Sequence, residues 1–396
     1  MTGSKELFLR YLGQTSPYPL GLEVARAEGC FLYDPNGKKY LDLISGFSVS
    51  NLGHCHPRII AAITKQCGLY LHTMVYGELV QSPQVMYAKE LIRNLPDSLN
   101  QVFFVNSGSE AVEGALKLAK RFTGRHGLVC FSNAYHGSTH GALSVMGNEM
   151  YKTAFRPLLP SVNILEFNNI DALSAISNDT AAVIIEPIQA EAGILAGEIK
   201  FFKALSKRCR EVGALLLFDE IQTGFGRTGS LFAFEQTDIV PDILILAKAL
   251  GGGMPLGAFI AGESIMNTLT HHPALGHITT FGGHPVCCAA GLAAIEVILE
   301  QNLCERARDV EKLIREKLRH QAILEIRGKG LLLAAKLDSE ERVNQFFKLS
   351  LEHGLLFDFF LFCKDSIRIA PPLVITDQEA EEMCNLIIQT LDQTFS

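Results

Sequence analysis

Lys248 is the residue of this chain whose neighbours best suit it to act as a nucleophile. It directly follows the apolar segment 243–247 and precedes the turn 251–255, which begins with three consecutive glycines. Burial disfavours a charged ammonium group, so this setting lowers the pKa of a lysine and favours a neutral amine that can attack a carbonyl group. A surface lysine after a buried strand has the same local sequence, so Lys248 alone does not decide the chemistry.

Small and aromatic residues that suit a phosphorylated ring follow two other apolar segments. The segment Ser107-Gly108-Ser109 comes after the apolar run 102–105 and opens a predicted helix, where free backbone N–H groups can hold a phosphate. Tyr135 comes after the apolar run 128–131. Taken singly, these features are equally typical of an ordinary helix cap and of a packed loop tyrosine.

Two acidic residues also come at the ends of apolar segments. Asp219 follows 215–218, and Glu186 follows 182–185. A buried acid costs stability unless it meets a cation, and a protonated pyridine nitrogen is one such cation, although a helix cap or a structural ion pair would serve equally. Ligands of open α/β sheets bind at the carboxyl ends of the strands, so these residues together with Lys248 predict a pyridoxal phosphate pocket.

The elements that position these residues are typical of an α/β fold. Continuous apolar runs alternate with helical stretches such as 110–121 and 200–212, which predicts a mostly parallel sheet covered on both faces. A chain of 396 residues is long for a single core. We predict a large cofactor-binding domain at 49–284 and a smaller α+β domain formed by 1–48 and 285–396. The predicted strands are 102–105, 128–131, 182–185, 215–218, 243–246 and 258–261.

Composition excludes several classes of function. The 42 acidic and 35 basic residues give a net charge of −7, which offers no basic surface for nucleic acid or an anionic membrane. No apolar run reaches the roughly 18 residues that span a bilayer, and the first residues lack the apolar stretch of a secretory signal. The 10 cysteines are scattered and are expected to be reduced in a cytoplasmic protein. The short groups His54-Cys55-His56 and His271-His272 make a poor metal site, so no metal is predicted.

The segment Gly224–Gly229 matches the G-x-G-x-x-G pattern of dinucleotide-binding folds. In those folds the pattern directly joins the first strand to its helix. Here the residues 219–223 separate it from the preceding apolar run, and about five strands come first. We interpret the segment as a structural loop and keep an NAD-dependent oxidoreductase as the alternative from a different class.

Given these residues, the chain resembles the class III (ω-amino) pyridoxal phosphate aminotransferases, and most of all the acetylornithine and ornithine aminotransferases. The resemblance implies the fold of the aspartate aminotransferase-like transferases (fold type I) and covers nearly the whole chain, from Glu28 to Pro372. It rests on Gly53-His54-Cys55-His56-Pro57, Asn106-Ser107-Gly108-Ser109-Glu110-Ala111, Glu186-Pro187-Ile188-Gln189, the run from Phe218 to Gly229, Ala247-Lys248-Ala249-Leu250-Gly251-Gly252-Gly253, Thr280-Phe281-Gly282-Gly283 and Arg368-Ile369-Ala370-Pro371-Pro372.

The resemblance implies a role for each matching residue. Lys248 would carry the cofactor as a Schiff base and then move the substrate proton, and Asp219 would pair with the ring nitrogen. Arg368 would bind the substrate carboxylate, with Glu191 pairing to that arginine until an acid substrate arrives. Further cofactor contacts are implied for Ser107, Gly108, Ser109, Tyr135, His136, Glu186, Gln222 and, from the neighbouring subunit of a homodimer, Thr280.

The resemblance also implies a ping-pong transfer of an amino group, a terminal one in this class, from an amino acid or diamine to a 2-oxo acid. One position departs from the pattern: Ser138 stands where the ornithine and acetylornithine enzymes usually have an arginine for a distal carboxylate, and serine supplies no guanidinium. Phe47 occupies a position that shapes the substrate channel. Within the same fold, a decarboxylase, a racemase or an aminomutase is the alternative, and a catalytically silent binding protein is a further one.

Overall fold

The computed structural model describes residues 4–395. Sixteen strands are present in this part of the chain: β1 (Arg26–Glu28), β2 (Phe31–Tyr33), β3 (Lys39–Asp42), β4 (Gln101–Val105), β5 (Gly127–Phe131), β6 (Val162–Leu165), β7 (Thr180–Ile185), β8 (Ile188–Gln189), β9 (Leu195–Ala196), β10 (Leu215–Asp219), β11 (Ile243–Leu246), β12 (Gly257–Ala261), β13 (Ile323–Lys329), β14 (Leu332–Leu337), β15 (Leu355–Leu356) and β16 (Ser366–Ile369).

The helices of the described residues range from single turns to 17 residues. The α-helices are α1 (Ser4–Tyr11), α2 (Ser45–Ser48), α3 (Pro57–Cys67), α4 (Ser82–Arg93), α5 (Gly108–Thr123), α6 (His140–Ser144), α7 (Ile199–Val212), α8 (Glu263–Met266), α9 (Pro285–Glu300), α10 (Leu303–Lys317), α11 (Glu340–Ser350) and α12 (Asp377–Gln393). Short 3-10 helices lie at Glu149–Tyr151, Thr153–Phe155, Asp171–Ala175, Ala233–Gln236, Lys248–Gly251 and Asn267–Thr270.

The central element is a seven-stranded sheet in the order β4-β12-β11-β10-β7-β5-β6. Only β12 runs against its neighbours, and the other six strands run in one direction. The carboxyl ends of these six strands therefore share one edge of the sheet, whereas β12 ends at the opposite edge. The predicted α/β fold with a mostly parallel sheet is confirmed.

Helices cover both faces of this sheet, which explains why its strands are continuously apolar. Along β10, Leu215 and Leu217 belong to one buried cluster, whereas Leu216 and Phe218 belong to another. Side chains of a strand alternate between faces, so both faces need apolar residues. All six predicted strands are present within one or two residues of the expected bounds. The sequence prediction missed β6, an edge strand whose Asn163 and Ile164 are exposed.

The two ends of the chain meet in smaller sheets. Strands β2 and β3 form an N-terminal hairpin, and β3 also pairs in parallel with β15 from the C-terminal part. A second sheet, in the order β13-β14-β16, carries Arg368 on β16. The exact division at residues 49 and 284 stays a prediction.

Among residues 4–395, no single helix is long and apolar enough to cross a bilayer. Helices α9 and α10, which are bent by 63° relative to each other, meet the length and composition criteria as a pair.

Candidate active site

A cavity of about 500 Å³ opens where β4, β5, β7, β10 and β11 end. Parallel strands carry their following loops to this edge, and each loop contributes a polar side chain. The predicted residues that line the cavity are Ser107, Gly108, Ser109, Tyr135, His136, Glu186, Glu191, Asp219, Gln222 and Lys248. Lining residues that the sequence prediction did not single out are Val49, Asn106, Gly137, Ile221, Thr223, Ala247, Gly253, Met254, Pro255 and Leu256.

Lys248 projects into this cavity from the turn after β11. Its backbone has a φ of 51°, a left-handed conformation that is strained for a residue other than glycine. Its Nζ donates a hydrogen bond of 2.6 Å to Oε1 of Gln222. Burial lowers the pKa of Lys248 from 10.5 to about 8; the carboxylate of Glu191 opposes this shift, and the positive charge of Arg368 reinforces it. A substantial fraction of neutral amine is therefore present near neutral pH.

Asp219 is held with one carboxylate oxygen on each of two donors. Its Oδ2 lies 2.6 Å from Nδ1 of His136, and its Oδ1 accepts a hydrogen bond of 3.0 Å from the backbone N–H of Ile221. Asp219 and His136 are both buried. This geometry keeps a carboxylate in a fixed orientation at the floor of the cavity, where it can stabilise a positive charge.

The end of the cavity beside α5 suits a phosphate group. Oγ of Ser107 caps the helix by accepting from the backbone N–H of Glu110 at 3.2 Å. Oγ of Ser109 accepts from the backbone N–H of Ser138 at 3.3 Å. A Cβ on Gly137 would lie 2.2 Å from Oγ of Ser109, and Gly137 has a φ of 126°, so only glycine fits there.

The residues present fit pyridoxal phosphate. Nε2 of His136 and Nε2 of Gln222 are buried with no hydrogen-bond partner among residues 4–395. Such polar atoms are costly unless a ligand or water satisfies them. An amine of lowered pKa, an oriented carboxylate and a helix N-terminus match the aldehyde, the ring nitrogen and the phosphate of this cofactor.

Glu186 fixes the loop that carries Tyr135. Its two carboxylate oxygens accept from the backbone N–H groups of Tyr135 and Ala190, each at 3.0 Å. Burial raises the pKa of Glu186 to about 7. Glu186 thus lines the cavity and holds the backbone that carries the Tyr135 side chain.

Arg368 lies beside the cavity in a buried ion pair with Glu191. Its Nη2 is 2.9 Å from both carboxylate oxygens of Glu191, and both residues are buried. Its Nε and Nη1 have no partner among the described residues. Aromatic rings flank the guanidinium, with Cζ 4.4 Å from the ring centroid of Phe360 and 5.2 Å from that of Phe47. The sequence prediction missed Phe360, because nothing in the aromatic run 357–362 shows which ring faces the arginine.

Phe47 is held in an unusual backbone turn. The four residues Ser45–Ser48 all have φ between 50° and 67°. A left-handed conformation costs about 1–2 kcal/mol for each residue other than glycine, and only Gly46 escapes that cost. Phe47 does not line the cavity itself but reaches its rim through Arg368.

Four predicted residues lie outside the cavity lining, namely Phe47 and Arg368, described above, and Ser138 and Thr280. Ser138 is exposed at the rim, where its Oγ is 3.3 Å from the hydroxyl of Tyr135. Thr280 is exposed on the surface. Its neighbour Thr279 accepts a hydrogen bond from Asn106 at 2.9 Å, which places this segment close to the mouth of the cavity.

The alternative ligand sites have little support in the geometry. Arg227, in the loop Gly224–Gly229, is fully buried and donates to the carbonyl oxygens of Leu331 and Pro371 and to Oδ1 of Asn51. The loop thus joins distant parts of the chain and does not line the cavity. Among residues 4–395, no group of three or more His, Cys, Asp or Glu side chains could hold a metal ion.

Comparison with known proteins agrees with this site. Residues 13–391 match the family model described as aminotransferase class-III. The chain is 40% identical to an acetylornithine aminotransferase of Methanopyrus kandleri, over 96% of each chain. It is 38% identical to a [LysW]-aminoadipate semialdehyde/glutamate semialdehyde transaminase of Sulfolobus acidocaldarius, over 94% of this chain and 95% of the relative. The solved ornithine aminotransferase from Toxoplasma gondii superimposes with a TM-score of 0.90 at 30% identity, over 98% of this chain and 94% of that one. The chain belongs to the class III aminotransferases, which use pyridoxal phosphate.

Proposed function

We propose that this aminotransferase takes the terminal amino group of a diamino acid, or of its N-acylated form, and passes it to a 2-oxo acid. The relatives named above support the choice of donor. The observation that carries the proposal is the pair of unpartnered guanidinium nitrogens of Arg368 beside Lys248. These nitrogens have N–H groups free to donate to a substrate carboxylate, and release of Nη2 from Glu191 would complete a bidentate contact.

Four side chains would act on the substrate and the cofactor. When bound, pyridoxal phosphate supplies an aldehyde carbon and a protonated ring that withdraws electrons. Asp219 stabilises the positive charge of that ring, and His136 keeps the carboxylate oriented. Beside the bound cofactor, the neutral Nζ of Lys248 would accept and return the substrate proton as a general base. Arg368 orients the acid substrate.

The proposal is tested with the purified enzyme and a panel of donors, N-acetylornithine, ornithine, lysine and putrescine, each with pyruvate or 2-oxoglutarate. We expect transfer from a terminal amino group and complete loss of turnover in Lys248→Ala. The matched control is Lys317→Ala at the surface, which should keep full activity. Transfer from α-amino groups only, or substantial turnover by Lys248→Ala without added amine, would contradict the proposal. Family membership already favours transamination over the decarboxylase, racemase and aminomutase alternatives.

Ser138 supports a further choice, that of the acceptor. Arg368, beside the cavity, offers one guanidinium for one carboxylate. Among the described residues that line the cavity, Lys248 is the only lysine or arginine. We propose that pyruvate, which has a single carboxylate, is used better than 2-oxoglutarate. Ser138→Arg should increase the kcat/KM ratio of 2-oxoglutarate to pyruvate by about tenfold or more, whereas the neutral control Ser138→Gln should leave it unchanged. A wild-type preference for 2-oxoglutarate would refute this choice.

We also propose that the active unit is a homodimer. Large apolar side chains are exposed in two adjoining segments, 69–80 and 275–281, which meet where the rings of His72 and Phe281 lie 4.9 Å apart. Val80 is 95% exposed and Phe281 is 54% exposed. Such a patch is typical of a protein interface. A partner covering it would bring its own Thr280 near the phosphate end of the cavity. Light scattering should give twice the mass of the chain, and Val80→Asp should weaken both the dimer and cofactor binding.

The cysteines support a cytoplasmic location. All ten thiols are free in the structure, and six are buried. Free thiols are typical of a reducing compartment. Fractionation of cells that express a tagged chain tests this assignment, and recovery in an oxidising compartment would refute it.

A further inference from the structure

The left-handed turn Ser45–Ser48 needs an external restraint, because its backbone conformation is unfavourable in isolation. Ser45 and Ser48 of this turn are buried, whereas the Phe47 side chain at its tip is 36% exposed. The internal hydrogen bonds of the turn run from the N–H groups of Val49 and Ser50 to the carbonyl oxygen of Ser45. The hydroxyl of Ser48 is buried without a partner among the described residues. The restraint must therefore come from neighbouring residues.

Asp42, at the end of β3, supplies a restraint on the entry to the turn. Its side chain is almost fully buried, and its Oδ1 accepts from the backbone N–H groups of both Ile44 and Ser45 at 2.8 Å. Its Oδ2 lies 2.9 Å from Nε2 of His54. The proposed transfer reaction uses neither Asp42 nor His54. Burial of a carboxylate costs stability even when it has three partners, so we interpret Asp42 as a residue that positions the turn.

His54 is itself fixed independently of the turn. Its backbone exchanges two hydrogen bonds with Gly29, at 2.8 and 3.1 Å. The preceding Gly53 lies so close to this segment that a Cβ would be 2.6 Å from the carbonyl oxygen of Gly29. The histidine therefore provides a rigid anchor that the Asp42 carboxylate connects to the turn.

The other side of the turn is tied to the strand that bears Arg368. Oγ of Ser45 donates a hydrogen bond of 2.7 Å to the carbonyl oxygen of Ala370, two residues after Arg368. The backbone N–H of Ala370 donates to the carbonyl oxygen of Leu43 at 2.9 Å. These contacts fix the turn relative to the arginine, so the position of the Phe47 ring depends on the turn conformation.

We propose that Asp42 and His54 form a positioning pair that holds the turn Ser45–Ser48 in its left-handed conformation and thereby keeps Phe47 against the guanidinium of Arg368. The pair would set the affinity for the carboxylate of the acid substrate without touching it. This inference rests on the proposed role of Arg368 in carboxylate binding.

The first experiment reports the turn without any catalysis. The chain contains no tryptophan, so Phe47→Trp introduces a single tryptophan at the turn, whose fluorescence can be excited selectively at wavelengths that tyrosine does not absorb. In the cofactor-free protein, adding Asp42→Ala should raise the acrylamide quenching constant of this tryptophan about two- to threefold, because the backbone N–H groups of Ile44 and Ser45 lose their acceptor. Asp42→Asn keeps an amide oxygen as acceptor, so its quenching constant should equal that of the Phe47→Trp protein with Asp42 unchanged. The surface change Asp309→Ala is the control.

The second experiment measures kinetics with pyruvate in the native Phe47 background. Asp42→Ala should raise the KM for pyruvate about tenfold and change kcat by less than about threefold, since carboxylate binding alone is weakened. Asp42→Asn should restore the parental KM. Adding Ser48→Gly to Asp42→Ala should lower the KM again, because glycine adopts the left-handed conformation freely and the Ser48 hydroxyl has no bond to lose.

The outcomes separate the two proposals. Unchanged quenching in Asp42→Ala, or a fall in kcat at constant KM, would overturn the positioning role. Increased quenching with an unchanged KM would overturn the link between the turn and Arg368. If Asp42→Ala does not fold, Ser45→Ala replaces it, because this change removes the hydrogen bond to the carbonyl oxygen of Ala370. The same quenching and KM measurements then test whether the turn positions Phe47. Failure of the proposed donor or acceptor would leave the quenching result intact.

Discussion

The reactivity of Lys248 toward electrophiles should rise at much lower pH than that of an ordinary lysine. Burial lowers its pKa to about 8, and only the neutral amine reacts. At pH 7 about one molecule in ten would carry a neutral Lys248, against about one in three thousand for a lysine with a pKa of 10.5. The neutral fraction therefore differs roughly 300-fold.

Reductive methylation of the cofactor-free enzyme with formaldehyde measures this fraction for each lysine by peptide mass spectrometry. The exposed Lys317 is the internal reference, because its ion pair with Glu381 raises its pKa. Limited access to the cavity lowers the absolute rate of Lys248 but does not move the midpoint of its pH profile. We expect that midpoint near pH 8. A midpoint above about 10, or a profile that coincides with that of Lys317, would refute the reasoning from burial.

Three further predictions concern stability and cofactor binding. The folded protein disfavours the charged form of Lys248, so its free energy of unfolding should rise with pH between about 8 and 10.5. In urea titrations of the cofactor-free enzyme at pH 7, Lys248→Met should raise the free energy of unfolding by roughly 1–3 kcal/mol. This gain should vanish above pH 10.5, where the lysine is neutral in both states. Arg368→Met should lower the free energy of unfolding by about 3–5 kcal/mol, because it leaves Glu191 unpaired in a buried site. Adding Glu191→Gln should recover most of that free energy. Additive effects in the double-mutant cycle would contradict the pairing. Gly137→Ala should weaken pyridoxal phosphate binding at least tenfold in fluorescence titrations, because its Cβ would displace Ser109, and an unchanged Kd would exclude that contact.

Much of the fold could be predicted because the strands of the central sheet are buried on both faces. Continuous apolar runs such as 243–246 are then required, and they are visible without any knowledge of the neighbouring strands. The edge strand β6 lacks this signal, because only one of its four residues is buried. Its place in the sheet depends on pairing with β5, which local sequence does not report.

The site residues divide in the same way. Some of them come at or just after the ends of apolar strands, namely Lys248, Asp219 and Ser107–Ser109. Their position at strand ends was enough to predict that they line one cavity. Phe360 has no such marker, and its contact with Arg368 depends on the path of the chain after β15. The left-handed turn that carries Phe47 was equally hidden, because Ser45–Ser48 contains only one glycine and is held by partners far away in the sequence.

The sequence by itself predicted the α/β sheet and a pyridoxal phosphate pocket, because both follow from a local pattern of apolar runs followed by polar turns. The family resemblance, and not this pattern, implied the roles of residues such as Glu191, Gln222 and Arg368. Only the tertiary structure decided how those residues restrain one another. Glu191 and Arg368 lie 177 positions apart and meet at 2.9 Å. Asp42 holds a turn that contacts Arg368 through the Phe47 ring and through the bond from Ser45 to Ala370. Such contacts arise from packing between distant segments, whose geometry no short stretch of sequence contains.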